Sequence, residues 1–170
     1  MMRRSLVAAV AVAPILAALG GLARAETQIT TATTAPVATA TVKSGAADDI
    51  TVTSAGSIAP TAATSPAVTL NSNNTVSNSG SISFKDLNNA IAIQALGGNT
   101  GQVTNGGTIS ITESYSATDT NSDGVVDGPW SKQTGGTGIQ VTGGVFTGGV
   151  TNTGAVTVQG NGGRGISIES

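Results

Sequence analysis

Four stretches of the chain share one form. Val52 to Ile58 reads VTSAGSI, Val76 to Ile82 reads VSNSGSI, Val103 to Ile109 reads VTNGGTI, and Val150 to Val156 reads VTNTGAV. The shared order is Val, Ser/Thr, Ser/Asn, any residue, Gly, any residue, Ile/Val. Successive starts lie 24, 27 and 47 residues apart, and the last equals 27 plus an insertion of 20. A repeat of that length is one supersecondary unit that buries its apolar face only by stacking on its neighbours, so the chain reads as a β-solenoid.

Alternating apolar pairs flank the motif: Ile50/Val52, Val68/Leu70, Ile91/Ile93, Ile139/Val141 and Ile166/Ile168, and after the motif glycine Ile82/Phe84, Ile109/Ile111 and Val156/Val158. Period-two alternation marks half-buried strands. None of these runs has helical spacing, and glycine at this density costs a helix about 1 kcal/mol per site. An antiparallel sandwich of short strands is the other all-β arrangement, but it has no reason to repeat its turns every 27 residues. The expected fold is therefore all-β, a parallel β-helix of four to five coils over 50–170, with a loop insertion at about 112–137. The motif glycines Gly56, Gly80, Gly107 and Gly154, with Ser54, Asn78, Asn105 and Asn152 before them, are expected to supply left-handed turn conformations. Stacking would let the three asparagines hydrogen-bond in a ladder.

Two segments precede the repeat. Arg3 and Arg4, an apolar run from Leu6 to Leu19, and Ala23-Arg24-Ala25 form a secretory signal peptide over 1–25. The run is short of the roughly 20 residues a membrane helix needs. Residues 26–49 are Thr- and Ala-rich and read as a leader or N-terminal cap, with one strand over 37–42 and disorder the alternative for 26–36. Cleavage after Ala25 removes Arg3, Arg4 and Arg24, leaving four basic against nine acidic residues, a net charge of −5. That balance argues against nucleic acid and anionic lipid as partners.

The chain has no cysteine and no histidine. Disulfides, thiol nucleophiles, His-dependent triads and conventional zinc sites are excluded. Asp48 and Asp49 are adjacent and would point to opposite faces of a strand, so they do not make a glycosidase pair. Lys85, Lys132 and Arg164 are the residues a calcium-assisted polysaccharide lyase could use, and no catalytic residue is assigned. The insertion holds one sharp motif, Asp119-Thr-Asn121-Ser-Asp123-Gly124-Val125-Val126-Asp127. Oxygen donors at alternate positions with glycine at the sixth form a loop around a hard cation. Asp119, Asn121, Asp123 and Asp127 would give side-chain oxygens and Val125 its carbonyl, and three carboxylates held together without a cation repel one another. The expected cofactor is Ca²⁺, bound weakly, since Trp130 stands at the twelfth position where a bidentate Glu would complete the site.

A signal peptide, a Thr/Ala-rich start and coils of the form GIxV…VTNxGxIxI resemble the passenger domains of bacterial autotransporters, especially those of alphaproteobacteria. The resemblance covers residues 1 to 170. It implies a right-handed β-helix, export, and display at the cell surface by an outer-membrane β-barrel translocator. No such barrel lies within these residues, and Gly165 to Ile168 opens a new coil just before Ser170, so the chain reads as the N-terminal fragment of a longer passenger or as a truncated product. Without a barrel its destination would be the periplasm. The expected role is structural and adhesive, toward carbohydrate, another cell or a second copy of itself. The rival is part of a β-helical polysaccharide-degrading enzyme.

Overall fold

A computed structural model describes residues 26–169. The signal peptide expected at 1–25 lies outside the described residues. Within them the chain forms fifteen short strands and no helix. They come in five tiers of three: β1 (Thr27–Ile29), β2 (Ala32–Thr33) and β3 (Val37–Ala38); β4 (Ile50–Val52), β5 (Ser57–Ile58) and β6 (Val68–Leu70); β7 (Val76–Asn78), β8 (Ser81–Lys85) and β9 (Ile91–Leu96); β10 (Val103–Asn105), β11 (Thr108–Thr112) and β12 (Thr137–Thr142); β13 (Val150–Asn152), β14 (Ala155–Val158) and β15 (Arg164–Ile168).

Every strand pairs with the strand three places away, always parallel. The result is three five-stranded sheets, β1-β4-β7-β10-β13, β2-β5-β8-β11-β14 and β3-β6-β9-β12-β15. This arrangement is compatible with a parallel β-helix. Parallel strands cannot be joined by a hairpin, so each must return after a crossover. Here the other two strands of the tier make that crossover.

In-register pairing stacks like on like. One sheet carries the column Val37–Val68–Ile93–Ile139–Ile166. Another carries Ile58–Ile82–Ile109–Val156 and beside it Phe84–Ile111–Val158. Inward residues of all three sheets join one apolar cluster in which Ile50, Ile58, Val76, Ile82, Ile93 and Ile109 are fully buried. β-Branched side chains suit it because they lose little freedom on a pleated surface. Outward positions are Thr, Ser and Gln, and they stack too: Gln94 donates to Gln140 at 2.9 Å.

Three expectations change in detail. Residues 26–49 carry the whole first tier, β1 to β3, paired onto the second. The strand expected over 37–42 covers only Val37–Ala38. The first copy of the motif is offset, since Val52, not Ser54, lies in register with Asn78. Both copies realign at Ile58 and Ile82, so the second tier turns with two extra residues, and the Gly56 N–H closes that wider turn onto the Thr53 carbonyl at 2.8 Å.

The motif residues also act by a different mechanism. Among the described residues the non-glycine positions with positive φ are Ser44, Asp86, Asn89 and Ser122, and neither the motif glycines nor the motif asparagines have positive φ. Their glycines answer to close approach instead. A Cβ on Gly80 would collide with the Gly56 carbonyl oxygen, one on Gly107 with that of Gly80, and one on Gly154 with that of Gly107. The asparagines form the expected ladder. Asn78 Nδ2 donates to Asn105 Oδ1 and Asn105 Nδ2 to Asn152 Oδ1, both at 2.7 Å. Turn backbone closes both ends: Gly80 N–H donates to Asn78 Oδ1 and Asn152 Nδ2 to the Gly154 carbonyl, each at 3.2 Å. Asn105 is fully buried and Asn78 nearly so, and the ladder runs as a polar seam beside the apolar cluster.

Replacing Asn105 by Ala strands the buried Asn78 amide hydrogen and removes the partner of the Asn152 oxygen, which is exposed. An unpaired buried polar group costs about 1–3 kcal/mol, so the urea midpoint of Asn105→Ala should fall clearly. Ser110→Ala, on the outward face of the neighbouring strand, should leave it unchanged. Equal midpoints for the two variants would deny the ladder a stabilising role.

Candidate functional site in the inserted loop

The insertion leaves the stack after Thr112 and rejoins it at Thr137. Pairing is intact on both sides of the gap, with Thr112 against Lys85 and Thr137 against Ile91. The loop therefore projects from one corner without disturbing the register.

Side chains from three successive tiers hold its neck. Asp86, just past β8 and with φ 57°, accepts the Ser114 N–H at 2.6 Å and the Ser114 hydroxyl at 2.8 Å. Gln159, just past β14, accepts the Glu113 N–H through Oε1 at 3.0 Å. Glu113 Oε2 reaches across the neck to accept the N–H groups of Lys132 and Gln133, both at 3.0 Å. Asn161 Nδ2 donates to the Ser131 carbonyl at 3.1 Å. Entering and leaving strands of the loop are thus clasped by a carboxylate.

Farther out, the aspartate motif folds on itself. Asp119 accepts the N–H groups of Ser122 at 2.6 Å and Asn121 at 3.2 Å through Oδ1, and that of Gly124 at 2.9 Å through Oδ2. Asp123 Oδ1 accepts the Val125 N–H at 2.8 Å, and Asp123 Oδ2 the Asn121 amide at 3.0 Å. Asp127 Oδ2 takes both the N–H and the hydroxyl of Thr120, at 2.8 and 2.7 Å. Ser122 and Gly124 have positive φ, 63° and 88°, as a tight turn of consecutive N–H groups requires. The five residues expected to hold a cation are thus neighbours in one turn. Among the described residues, however, no three acidic, His or Cys side chains gather as a metal site needs. Their carboxylates meet backbone N–H groups in place of one another.

Between neck and motif lies an open cleft of about 340 Å³ lined by Glu113, Tyr115, Ser116, Ala117, Val126, Trp130 and Gln159. Trp130 is 72% exposed. The Lys132 ammonium sits 4.4 Å from the centre of the Tyr115 ring, a cation–π contact. In the sequence Trp130 stands out only where a ligand is missing, and neither Tyr115 nor Gln159 belongs to a motif. The available signal was that two of the four aromatic residues fall inside the insertion. The cations considered for a lyase do not assemble here: Lys132 covers Tyr115, Arg164 pairs with Glu169 at 2.8 Å, and Lys85 ends β8. Asp48 lies at the opposite end of the stack. It accepts the Thr27 hydroxyl at 3.0 Å and meets Lys43 at 3.5 Å, while Asp49 accepts the Thr75 N–H at 2.8 Å. No protein-family model, curated protein or solved structure matches the chain.

Hydrogen bonding sets the charge of the loop. The Gly124 N–H, then those of Ser122 and Asn121, lower the pKa of Asp119. Thr120, by hydroxyl and N–H, does the same for Asp127, and Ser114, by N–H and hydroxyl, for Asp86. Ser131 followed by the Gln133 and Lys132 N–H groups outweighs partial desolvation and the nearby Asp86 charge to lower that of Glu113. Each of these groups is more acidic folded than unfolded. Its contribution is complete above the ordinary carboxylate pKa of about 4 and is lost as pH falls through the lowered folded value. Against desolvation, the Thr27 hydroxyl holds the Asp48 carboxyl low as well, so acidification should open the loop and loosen the first tier at that contact before the central sheets. In NMR spectra the Ser114, Thr120, Gly124 and Lys132 amides should titrate together below about pH 4 while the Asn78 and Asn105 side-chain amides stay fixed. Simultaneous loss of both sets would place the acid-labile contacts in the stack.

Proposed function

We propose that this chain is an exported, surface-displayed segment of an autotransporter passenger: a right-handed parallel β-helix with a structural and adhesive role, dependent on an outer-membrane β-barrel for its display. The observation that supports the reading is the pairing of every strand with the strand three places on, in register, through five tiers. Repetition of that kind makes a rod that lengthens by adding tiers and presents an extended lateral surface, here one of Thr, Ser, Asn and Gln. Right-handedness follows from the preference of parallel crossovers. At the last tier Ile166 is 45% and Ile168 73% exposed, and β13, β14 and β15 are free edges of their sheets among the described residues. Such edges accept a further tier, from the same chain or from a second copy.

Display has a direct test. Protein extracted from its own cells should begin at Glu26 on N-terminal sequencing, and protease added to intact cells should digest it. An intact Met1, or protection until the outer membrane is opened, would overturn the proposal.

Calcium belongs to the same reading. A carboxylate has about four lone-pair sites, so Asp119, with three N–H donors, and Asp123, with two, keep capacity for a cation. Asp127, with both Thr120 bonds on Oδ2, would join them through Oδ1. Calcium at about 0.1–1 mM should then shift the Thr120 and Gly124 amides, and terbium in its place should emit on excitation of Trp130, with both signals lost in Asp119→Asn/Asp123→Asn. Amide shifts unmoved at millimolar calcium would leave the loop a metal-free turn.

A further inference from the structure

We propose that the cleft in the inserted loop binds a neutral saccharide, with Trp130 and Tyr115 as stacking surfaces and Glu113, Gln159 and Ser116 as hydrogen-bonding groups. This rests on the adhesive part of the function proposed above and gives it a place. The chain spends its few aromatic residues unequally. Phe84 is buried in the core and Phe146 packs against it. The other two, Tyr115 and Trp130, enter from the two ends of the insertion and line one cleft. Trp130, 72% exposed, shares the cleft with Val126, itself 41% exposed, so the apolar surface left in water there is gathered in one place, where a ligand can cover it.

The polar groups around the rings are fixed in advance. Glu113 is held by the Lys132 and Gln133 N–H groups through Oε2. Its lowered pKa keeps it ionised, an acceptor at neutral pH. Gln159 is oriented by the bond from the Glu113 N–H to its Oε1, so its amide nitrogen remains as a donor. Lys132 holds the Tyr115 ring from one side.

A pyranose ring has the matching chemistry. Its C–H face is apolar and lies flat on an aromatic ring, while its equatorial hydroxyls donate and accept around the rim. The cleft's volume, about 340 Å³, is at the small end of the roughly 300–1,000 Å³ usual for ligand sites, and it is open, so a sugar within a longer chain can enter sideways. Charge favours a neutral sugar, because a uronic acid would meet Glu113 and, after the cleavage proposed above, a chain of net charge −5, while the Lys132 ammonium is engaged on the Tyr115 ring. A quaternary ammonium ion also suits aromatic faces, but on Tyr115 that position is already taken by Lys132.

The single tryptophan makes the site its own reporter. The full exported chain is titrated with cellohexaose, maltohexaose and chitohexaose while Trp130 emission is followed. In parallel its migration is measured in gels containing hydroxyethylcellulose, starch or glycol chitin. The expected result is a saturable blue shift with at least one oligosaccharide, retardation in the corresponding gel, about tenfold weaker binding in Tyr115→Ala, and loss of retardation in Trp130→Ala. Both residues lie outside the stack, so circular dichroism should be unchanged. Retardation that survives Trp130→Ala, or that comes with silent emission, overturns the cleft while leaving an adhesive rod. Absence of both signals overturns the cleft and the carbohydrate part of the adhesive reading, with surface display decided separately by protease. Emission that responds to choline but to no sugar overturns the proposal in favour of a cation site.

Discussion

Each tier of this protein lies so close on the one before it that, at the corner after the first strand, a carbonyl oxygen occupies the space a Cβ would need. The glycine column Gly56–Gly80–Gly107–Gly154 is the consequence. It is a condition on distance and not on dihedral angle, and it fixes the rest. If backbones meet at one corner in every tier, successive strands must stay parallel and in register, and many residues come to stand on their own kind. Ile82 on Ile109, Val76 on Val103 and Gln94 on Gln140 are instances of that rule.

The asparagine chain shows how a polar group enters such an interior. Stacking places a side-chain amide directly above another, and an amide is both donor and acceptor, so a column of asparagines satisfies itself rung by rung. What remains is one acceptor at the bottom and one donor at the top, and turn backbone answers both. The arrangement stops where the turn widens. In the second tier Val52 takes the rung, and the two added residues bring a backbone carbonyl, that of Thr53, to close the turn. Side chain and longer turn are alternative solutions to one requirement, the sharp change of direction after the first strand.

That equivalence explains what was legible in the sequence and what was not. Fold class, period and the place of the insertion could be read because stacking forces the same residues to recur at the same interval. The offset of Val52 could not, because VTSAGSI matches the motif letter for letter while its strand ends two residues earlier. The first tier was obscure for a related reason. Its inward rungs are Thr27, Ile29, Thr33 and Val37, two of them threonines, and its buried Thr39 is satisfied by Asn71 and Ser72 from the second tier, far away in sequence. The cation motif was legible as a turn, since alternate Asx residues cap their own backbone whether or not a metal is present. The cleft was not, because Glu113, Trp130 and Gln159 come from two tiers and meet only when the corner is built.

A periodic surface is poorly suited to recognising anything in particular, since each tier presents nearly the same Thr and Ser rows as the next. Specific recognition needs a break in the period, and the stack tolerates one only at a corner, where the path between strands can lengthen without shifting any rung. Residues 113–136 are such a break. They hold the exposed Trp130 and six of the seven residues that line the cleft, and their neck is anchored to Asp86 and Gln159 from the tiers on either side. The rigid rungs thereby fix the position of the loop's base, and the loop in turn is free to carry residues that no stacked position could accept.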